Sequence, residues 1–123
     1  EKFPKLRVIV LESGAGWIGY WLDRMDTVYA SPQGMALRPL LPEKPSAYFA
    51  RQCWISGDPD ETYLADIIPR VGPDRFFWAS DFPHPDHPPD YIPEVERLVG
   101  DLPESARAGF LGENVLRAFR VKA

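Results

Sequence analysis

The sequence is poor in the residues that build several common kinds of site. Its only cysteine is Cys53, which excludes an internal disulfide and a cysteine pair of the zinc-binding type. Because Cys53 precedes the apolar residues Trp54 and Ile55, it is typical of a buried core thiol. A single unpaired thiol also fits a reducing compartment, so we expect a cytoplasmic protein.

An excess of positive charge and a long apolar run are also missing. Lysine and arginine number 14 against 18 acidic residues, which gives a net charge of −4. Such a chain offers no basic stripe to a phosphate backbone or an anionic membrane surface, so neither nucleic acid nor membrane is an expected partner. No run approaches the roughly 18 apolar residues that span a bilayer.

Three apolar runs of strand length divide the chain, and helical spacing follows each of them. The three runs are residues 6–11, 48–56 and 75–80. Helices are expected at residues 17–29 and 64–71, and in a segment that has Pro93 in its first turn. A last helix is expected at residues 103–121, with a break near Gly112. Residues 30–47 contain four prolines and are expected to form an ordered loop without a regular element. Alternating strands and helices predict an α/β architecture with parallel strands. Three such strands leave two open edges, so something else should complete the sheet.

In parallel α/β folds the chemistry lies at the carboxyl ends of the strands. This rule brings three loops to one expected pocket: Glu12 and Ser13, residues 56–58, and residues 80–87. Asp81 follows the third run directly and could bind a divalent metal or take a proton from water; a turn cap is the alternative. His84 and His87 do not share the helical spacing of a zinc motif, and a histidine bonded to a backbone carbonyl is the alternative for each.

Two loops carry residues that have both a structural and a functional interpretation. Glu12 precedes Ser-Gly-Ala-Gly, whose glycines permit a tight turn and close approach of the backbone to a ligand, although a capping carboxylate is the alternative. The segment lacks the complete dinucleotide fingerprint. Asp58 and Asp60 stand in a turn where they could cap the following helix.

The segments "WASDFPHPD" and "GENVLRAF", together with "LRVIVLESGAGW" and "FARQCWISGDPDE", resemble the C-terminal third of amidohydrolase-related proteins, a group that includes the aminocarboxymuconate semialdehyde decarboxylases. The resemblance covers residues 3–121. It implies that residues 1–123 are a single partial domain, the C-terminal part of a (β/α)8 TIM-type barrel with strands six, seven and eight. Such barrels bind a divalent metal, usually zinc, at their carboxyl-terminal face.

The resemblance also implies roles for individual residues. Asp81 matches the family's metal-binding aspartate, which acts as a base toward metal-activated water, and His84 matches a histidine that lines the pocket. The decarboxylases' histidine after strand six falls on Glu12 or Ser13; Glu12 is the preferred match and catalytic candidate, and Ser13 a candidate substrate contact. The family's remaining histidine ligands have no counterpart, so this chain supplies at most one direct metal ligand.

Three functional hypotheses follow from this resemblance. The first is a metal-dependent hydrolase acting on a small organic substrate, of which this chain is a part that is inactive alone. The others are a non-oxidative decarboxylase of a small unsaturated or aromatic acid, and a non-catalytic half-barrel. We further expect the chain to pair with another copy or with the missing N-terminal part, through the edge at residues 6–11 or the face near Trp17 and Trp21. The alternative is that residues 30–47 cover that edge.

Overall fold

Three parallel strands form the centre of the molecule. The computed structural model describes residues 3–85 and 90–122, so His87 lies outside the described residues. The strands are β1 (Val8–Val10), β2 (Cys53–Gly57) and β3 (Phe76–Trp78), in the order β1-β2-β3. Both pairings are parallel. The predicted α/β class with three parallel strands is therefore confirmed.

Helical segments connect and follow these strands. They are α1 (Ile18–Ala30), α2 (Pro45–Gln52), α3 (Leu64–Val71), α4 (Tyr91–Leu98), α5 (Glu104–Ala108) and α6 (Asn114–Phe119), with 3-10 turns at Pro32–Leu37 and Pro73–Arg75 and a π-helical turn at Gly109–Glu113. Pro93 lies in the first turn of α4, as expected. In the described ranges, no helix has the length and apolar character needed to cross a membrane.

The second predicted strand was too long, because residues 48–52 belong to α2. Pro45 occupies the first turn of this helix, where its missing N–H costs nothing, and Phe49 is buried. The Asp26 carboxylate in α1 accepts the backbone N–H of Ser46 at 2.9 Å and its hydroxyl at 2.6 Å. This distant acceptor stabilises the start of α2, so the helix prevails over the strand preference of the aromatic residues. Residues 30–47 are accordingly not irregular throughout.

The expected break near Gly112 takes the form of the π-helical turn at Gly109–Glu113, which interrupts the α-helical pattern between α5 and α6 without separating the two helices. Asn114 is fully buried where α6 begins, and its side-chain amide donates to the carbonyl oxygens of Pro73 and Phe76, each at 2.7 Å. A Cβ on Gly109 would lie 2.9 Å from the Asn114 Nδ2 atom. The absence of a side chain at Gly109 therefore lets the helix close around this buried amide.

Both faces of the sheet are covered, and each by different helices. The larger core cluster includes Ile55 and Phe76 with residues of α1, α3, α4 and α5. On the other face, Trp54 and Phe77 pack against Ala118 and Val115 of α6. The core thus fixes the strands so that their carboxyl ends remain accessible.

Candidate active site at the carboxyl ends of the strands

A cavity of about 540 Å³ opens at the carboxyl ends of the three strands. Each of the three following loops contributes to its lining, which consists of Leu11, Glu12, Gly14, Ser56, Asp58, Ala79, Asp81 and His84. Polar and charged groups therefore converge at the edge of the sheet where parallel α/β folds place their chemistry.

The backbone at two of these residues adopts a conformation that is unusual for a residue with a side chain. Glu12 has a φ of 55° and Asp81 a φ of 48°. Left-handed backbone costs an ordinary L-residue roughly 1–2 kcal/mol. The two predicted catalytic residues thus occupy sharp turns immediately beyond β1 and β3, and both line the cavity.

Asp81 and His84 are neighbours across the turn after β3. The Nδ1 atom of His84 lies 3.8 Å from an Asp81 carboxylate oxygen, and the His84 backbone N–H donates to the Asp81 carbonyl oxygen at 2.8 Å. The side chain of His84 is 52% exposed and that of Asp81 is 44% exposed. A half-exposed carboxylate beside an imidazole remains open to a ligand that enters the cavity.

Ser13 is placed differently from Glu12. Its hydroxyl donates to the Gly14 carbonyl oxygen at 3.2 Å, and its own carbonyl oxygen accepts the indole N–H of Trp17 at 3.0 Å. Ser13 is exposed and does not line the cavity. Of the predicted site residues, the structure brings Glu12, Asp81 and His84 together and leaves Ser13 outside.

Glu61 is a residue that the sequence analysis did not select. Its carboxylate accepts the backbone N–H groups of Ala15 at 2.8 Å, Gly16 at 2.7 Å and Asp58 at 3.0 Å. The expected cap by Asp58 or Asp60 was wrong, since α3 begins at Leu64 without a side-chain cap. The D-x-x-E spacing of a capping box, from Asp58 to Glu61, was the available signal.

The glycines of the loop after β1 approach this carboxylate. A Cβ on Gly14 would lie 2.9 Å from Glu61 Oε1, and Gly14 has a φ of 60°. We expected these glycines to let the backbone approach a ligand. In the described structure, the backbone approaches the side chain of Glu61 instead.

Tyr91 holds the end of β3 from the opposite side. Its hydroxyl donates to the Ala79 carbonyl oxygen at 2.8 Å, and its ring centroid lies 5.6 Å from that of Trp78. Burial raises the pKa of Tyr91 to about 12, and the negative charges of Asp58, Asp60 and Asp81 contribute further. The Tyr91 hydroxyl therefore stays protonated at neutral pH and can donate its hydrogen bond to Ala79. The sequence alone does not show that these two residues lie side by side.

The donor set at the cavity fits only part of a metal site. Carboxylate and imidazole are suitable ligands for a divalent metal, and Asp81 can supply one of them. Within residues 3–85 and 90–122, no group of three or more histidine, cysteine or acidic side chains is arranged to hold a metal ion. The described residues could therefore supply part of such a site but do not complete one.

Comparison with known proteins identifies the family. The sequence profile of the amidohydrolase family matches residues 1–121, almost the whole chain. The chain belongs to the amidohydrolase family. Among curated proteins, none matches the sequence significantly.

Solved structures of the family share this fold over part of their length. The amidohydrolase map2389c from Mycobacterium avium subsp. paratuberculosis K-10 superposes with a TM-score of 0.74 at 21% identity, covering 95% of this chain and 29% of that one. The 5-carboxyvanillate decarboxylase LigW from Sphingomonas paucimobilis gives a TM-score of 0.70 at 26% identity, covering 98% and 36%. The chain spans about a third of these proteins. The predicted resemblance and the assignment to part of a TIM-type barrel are both confirmed.

Proposed function

We propose that this chain forms part of a metal-dependent hydrolase of the amidohydrolase type that acts on a small organic substrate. The observation that carries the proposal is the convergence of Glu12, Asp58, Asp81 and His84 on one cavity at the carboxyl ends of the strands. Its volume of about 540 Å³ falls within the roughly 300–1,000 Å³ of small-molecule sites. Family membership over residues 1–121 supports the reaction class.

The predicted site residues have proposed roles that follow from their chemistry. Asp81 would be one ligand of a divalent metal, proposed to be zinc, which when bound makes water more acidic. The Asp81 carboxylate can accept the proton of that water, and His84, whose Nδ1 atom lies 3.8 Å from an Asp81 carboxylate oxygen, lines the pocket beside it. Glu12 accepts a hydrogen bond from an N–H or O–H of the substrate. Ser13 remains a predicted substrate contact whose hydroxyl is bonded to the Gly14 carbonyl.

Decarboxylation is the second candidate, because one similar structure is a 5-carboxyvanillate decarboxylase. The loop after β1 favours hydrolysis instead. Glu12 stands where the resemblance implies a histidine in the decarboxylases, and an ionised carboxylate cannot donate a hydrogen bond to a developing oxyanion.

A non-catalytic half-barrel is the third candidate, and it is favoured by the incomplete donor set of the described residues. Metal analysis of the purified 123-residue chain tests it. One tightly bound equivalent of zinc would contradict the half-barrel, because a site would then be complete in some other way.

The cytoplasmic setting is part of the main proposal and is supported by the free, partly buried thiol of Cys53, whose pKa is raised by burial.

The decisive experiment compares Asp81→Asn with Asp101→Asn in the complete gene product that carries this chain. Asp101 is exposed and does not line the cavity, so it controls for the loss of one carboxylate. Against a panel of small esters, amides and lactones, we expect D81N to lose about 100-fold or more of kcat and D101N to match the unmodified protein. Carbon dioxide released from aromatic acids, with no hydrolysis, would favour the decarboxylase and contradict our proposal.

A further inference from the structure

The Glu61 carboxylate lies between two of the loops that form the cavity. We propose that Glu61 is a positioning residue, which joins the loop after β1 to the loop after β2 and thereby fixes Glu12 and Asp58 relative to each other. The inference rests on the proposed function only in taking this cavity as the place where substrate binds.

Both carboxylate oxygens of Glu61 take part in this connection. Oε1 accepts from Ala15 at 2.8 Å and from Gly16 at 2.7 Å. Oε2 accepts from Ala15 at 2.9 Å and from Asp58 at 3.0 Å. An ionised carboxylate offers only acceptors, and hydrogen bonds to it are stronger than those between neutral groups. The group is therefore matched to a ring of backbone donors from two loops.

Local turn geometry explains only one of these contacts. The bond from the Asp58 N–H to Glu61 is the local one, since the two residues are three apart. Ala15 and Gly16 precede α1 and lie 46 and 45 residues from Glu61 along the chain. Bonds over such a separation contribute nothing to starting α3. Their effect is on the placement of the loop after β1.

The loop after β1 is shaped around the carboxylate. Ala15 is fully buried, and Gly14 has a φ of 60°. A Cβ on Gly14 would lie only 2.9 Å from the Oε1 atom of Glu61. Glu12 lies two residues before Gly14 in the same turn and has a φ of 55°. The loop after β3 is held separately, by the Tyr91 hydroxyl on Ala79. Releasing Glu61 should thus move Glu12 relative to Asp58 and Asp81 without disturbing β3.

Substitution of Glu61 by glutamine tests this connection with a nearly isosteric side chain. Glutamine retains one oxygen but presents an NH₂ group where the second oxygen was, and that group repels a backbone N–H. Because Gly16 donates only to Oε1 and Asp58 only to Oε2, glutamine must leave at least one of these two amides without its acceptor. In the isolated 123-residue chain, followed by NMR hydrogen exchange, we expect at least one of the amides of Ala15, Gly16 and Asp58 to exchange about tenfold faster or more. Tenfold corresponds to about 1.4 kcal/mol.

Two further variants make the result specific. E113Q removes the same charge from an exposed pair with Arg117 at 2.6 Å and should leave these three amides unchanged. Gly14→Ala presses a methyl group against Glu61 Oε1 and should accelerate the same amides while Glu61 itself is intact. If E61Q does not fold, G14A still tests whether disturbing the Glu61 contact accelerates exchange of these amides.

The catalytic arm uses E61Q in the complete gene product, where we expect KM to rise about tenfold and kcat to change less, because the cavity wall moves and Asp81 does not. Exchange within twofold of the unmodified chain at all three amides would overturn the proposal, as would equal acceleration across all amides. An unchanged KM in an active enzyme would also overturn it, leaving Glu61 a purely structural residue. If the gene product hydrolyses nothing, the exchange arm still decides on the connection between the loops, while the proposed function fails.

Discussion

Asn114 is the buried polar group whose replacement should have the largest effect on stability. Its side-chain amide donates two hydrogen bonds of 2.7 Å, to the carbonyl oxygens of Pro73 and Phe76, and its Oδ1 accepts from Arg117 at 3.1 Å. N114D keeps the shape of the side chain but replaces both donated bonds with contacts between a carboxylate oxygen and carbonyl oxygens.

The expected loss can be built from these contacts. Each donated bond contributes about 1 kcal/mol, and each buried carbonyl left without a donor costs about 1–3 kcal/mol. We therefore expect N114D to lower the free energy of unfolding by about 4 kcal/mol at pH 8. Small proteins are stable by about 5–15 kcal/mol, so this is a large fraction of the total.

The loss should also depend on pH with a definite sign. Burial and the two facing carbonyls act to raise the pKa of the introduced carboxyl group, while the Arg117 guanidinium at 3.1 Å acts to lower it. We expect the raising effects to prevail, because position 114 is fully buried and two carbonyl oxygens face the carboxyl group. A raised pKa gives a contribution that is present at low pH and is lost as the pH rises through the folded-state pKa. Part of the lost stability should thus return at pH 4, where the protonated group can donate one bond.

Urea unfolding at pH 4 and pH 8 measures both effects, with Gln33→Glu as the control. Gln33 is exposed, so the same amide-to-carboxylate change should have little effect there. A free energy of unfolding for N114D within about 0.5 kcal/mol of the unmodified chain at pH 8 would refute the reasoning. An effect identical at both pH values would show that the carboxyl group is not held against the two carbonyls.

Two further predictions concern stability and association. Burial acts to raise the pKa of Asp26, but the hydrogen bonds from Ser46 and the charge of Lys44 outweigh it and lower that pKa. D26N should therefore lower the free energy of unfolding by about 1 kcal/mol above pH 5, and by less as the pH falls through the folded-state pKa. Thermal melts that show an equal loss at all pH values would contradict this. The chain should also associate, because Val8 on β1 is 40% exposed and Leu6, just before β1, is 54% exposed. A typical partner buries about 800 Å² per side, with a gross gain of about 20 kcal/mol. Light scattering at micromolar concentration checks this, and a clean 14.0 kDa monomer would contradict it.

The architecture and the position of the cavity could be predicted because both follow from general rules of chain topology. Parallel strands joined by helices bring their carboxyl ends together, so Glu12 and Asp81 reach one cavity wherever the intervening segments run. The boundary between α2 and β2 could not be predicted in this way. Residues 48–52 are compatible with either structure, and Asp26, at a distance of 20 residues from Ser46, decides between them.

The same limit applies to the residues that support the cavity. Glu61 and Tyr91 act on backbone groups that the sequence does not place beside them, since Ala15 is 46 residues and Ala79 12 residues away. The sequence also did not decide whether residues 30–47 cover the edge of β1. Residues 30–47 pack on α1 through the bonds of Arg38 to Ala30 and of Tyr29 to Leu41, and Leu6 and Val8 stay exposed.

The left-handed backbone of Glu12 and Asp81 connects these observations. Glycine would adopt such a φ at no steric cost, yet both positions carry a carboxylate at the mouth of the same cavity. A cost of roughly 1–2 kcal/mol at each position is sustained only where surrounding contacts fix the turn. Glu61 bonds the turn that contains Glu12, and the His84 N–H bonds the Asp81 carbonyl. Arg120 has a φ of 58° at the end of α6, outside the cavity, so this conformation alone does not mark a functional residue. At Glu12 and Asp81 it coincides with a carboxylate at the cavity, which agrees with the roles that we propose for them.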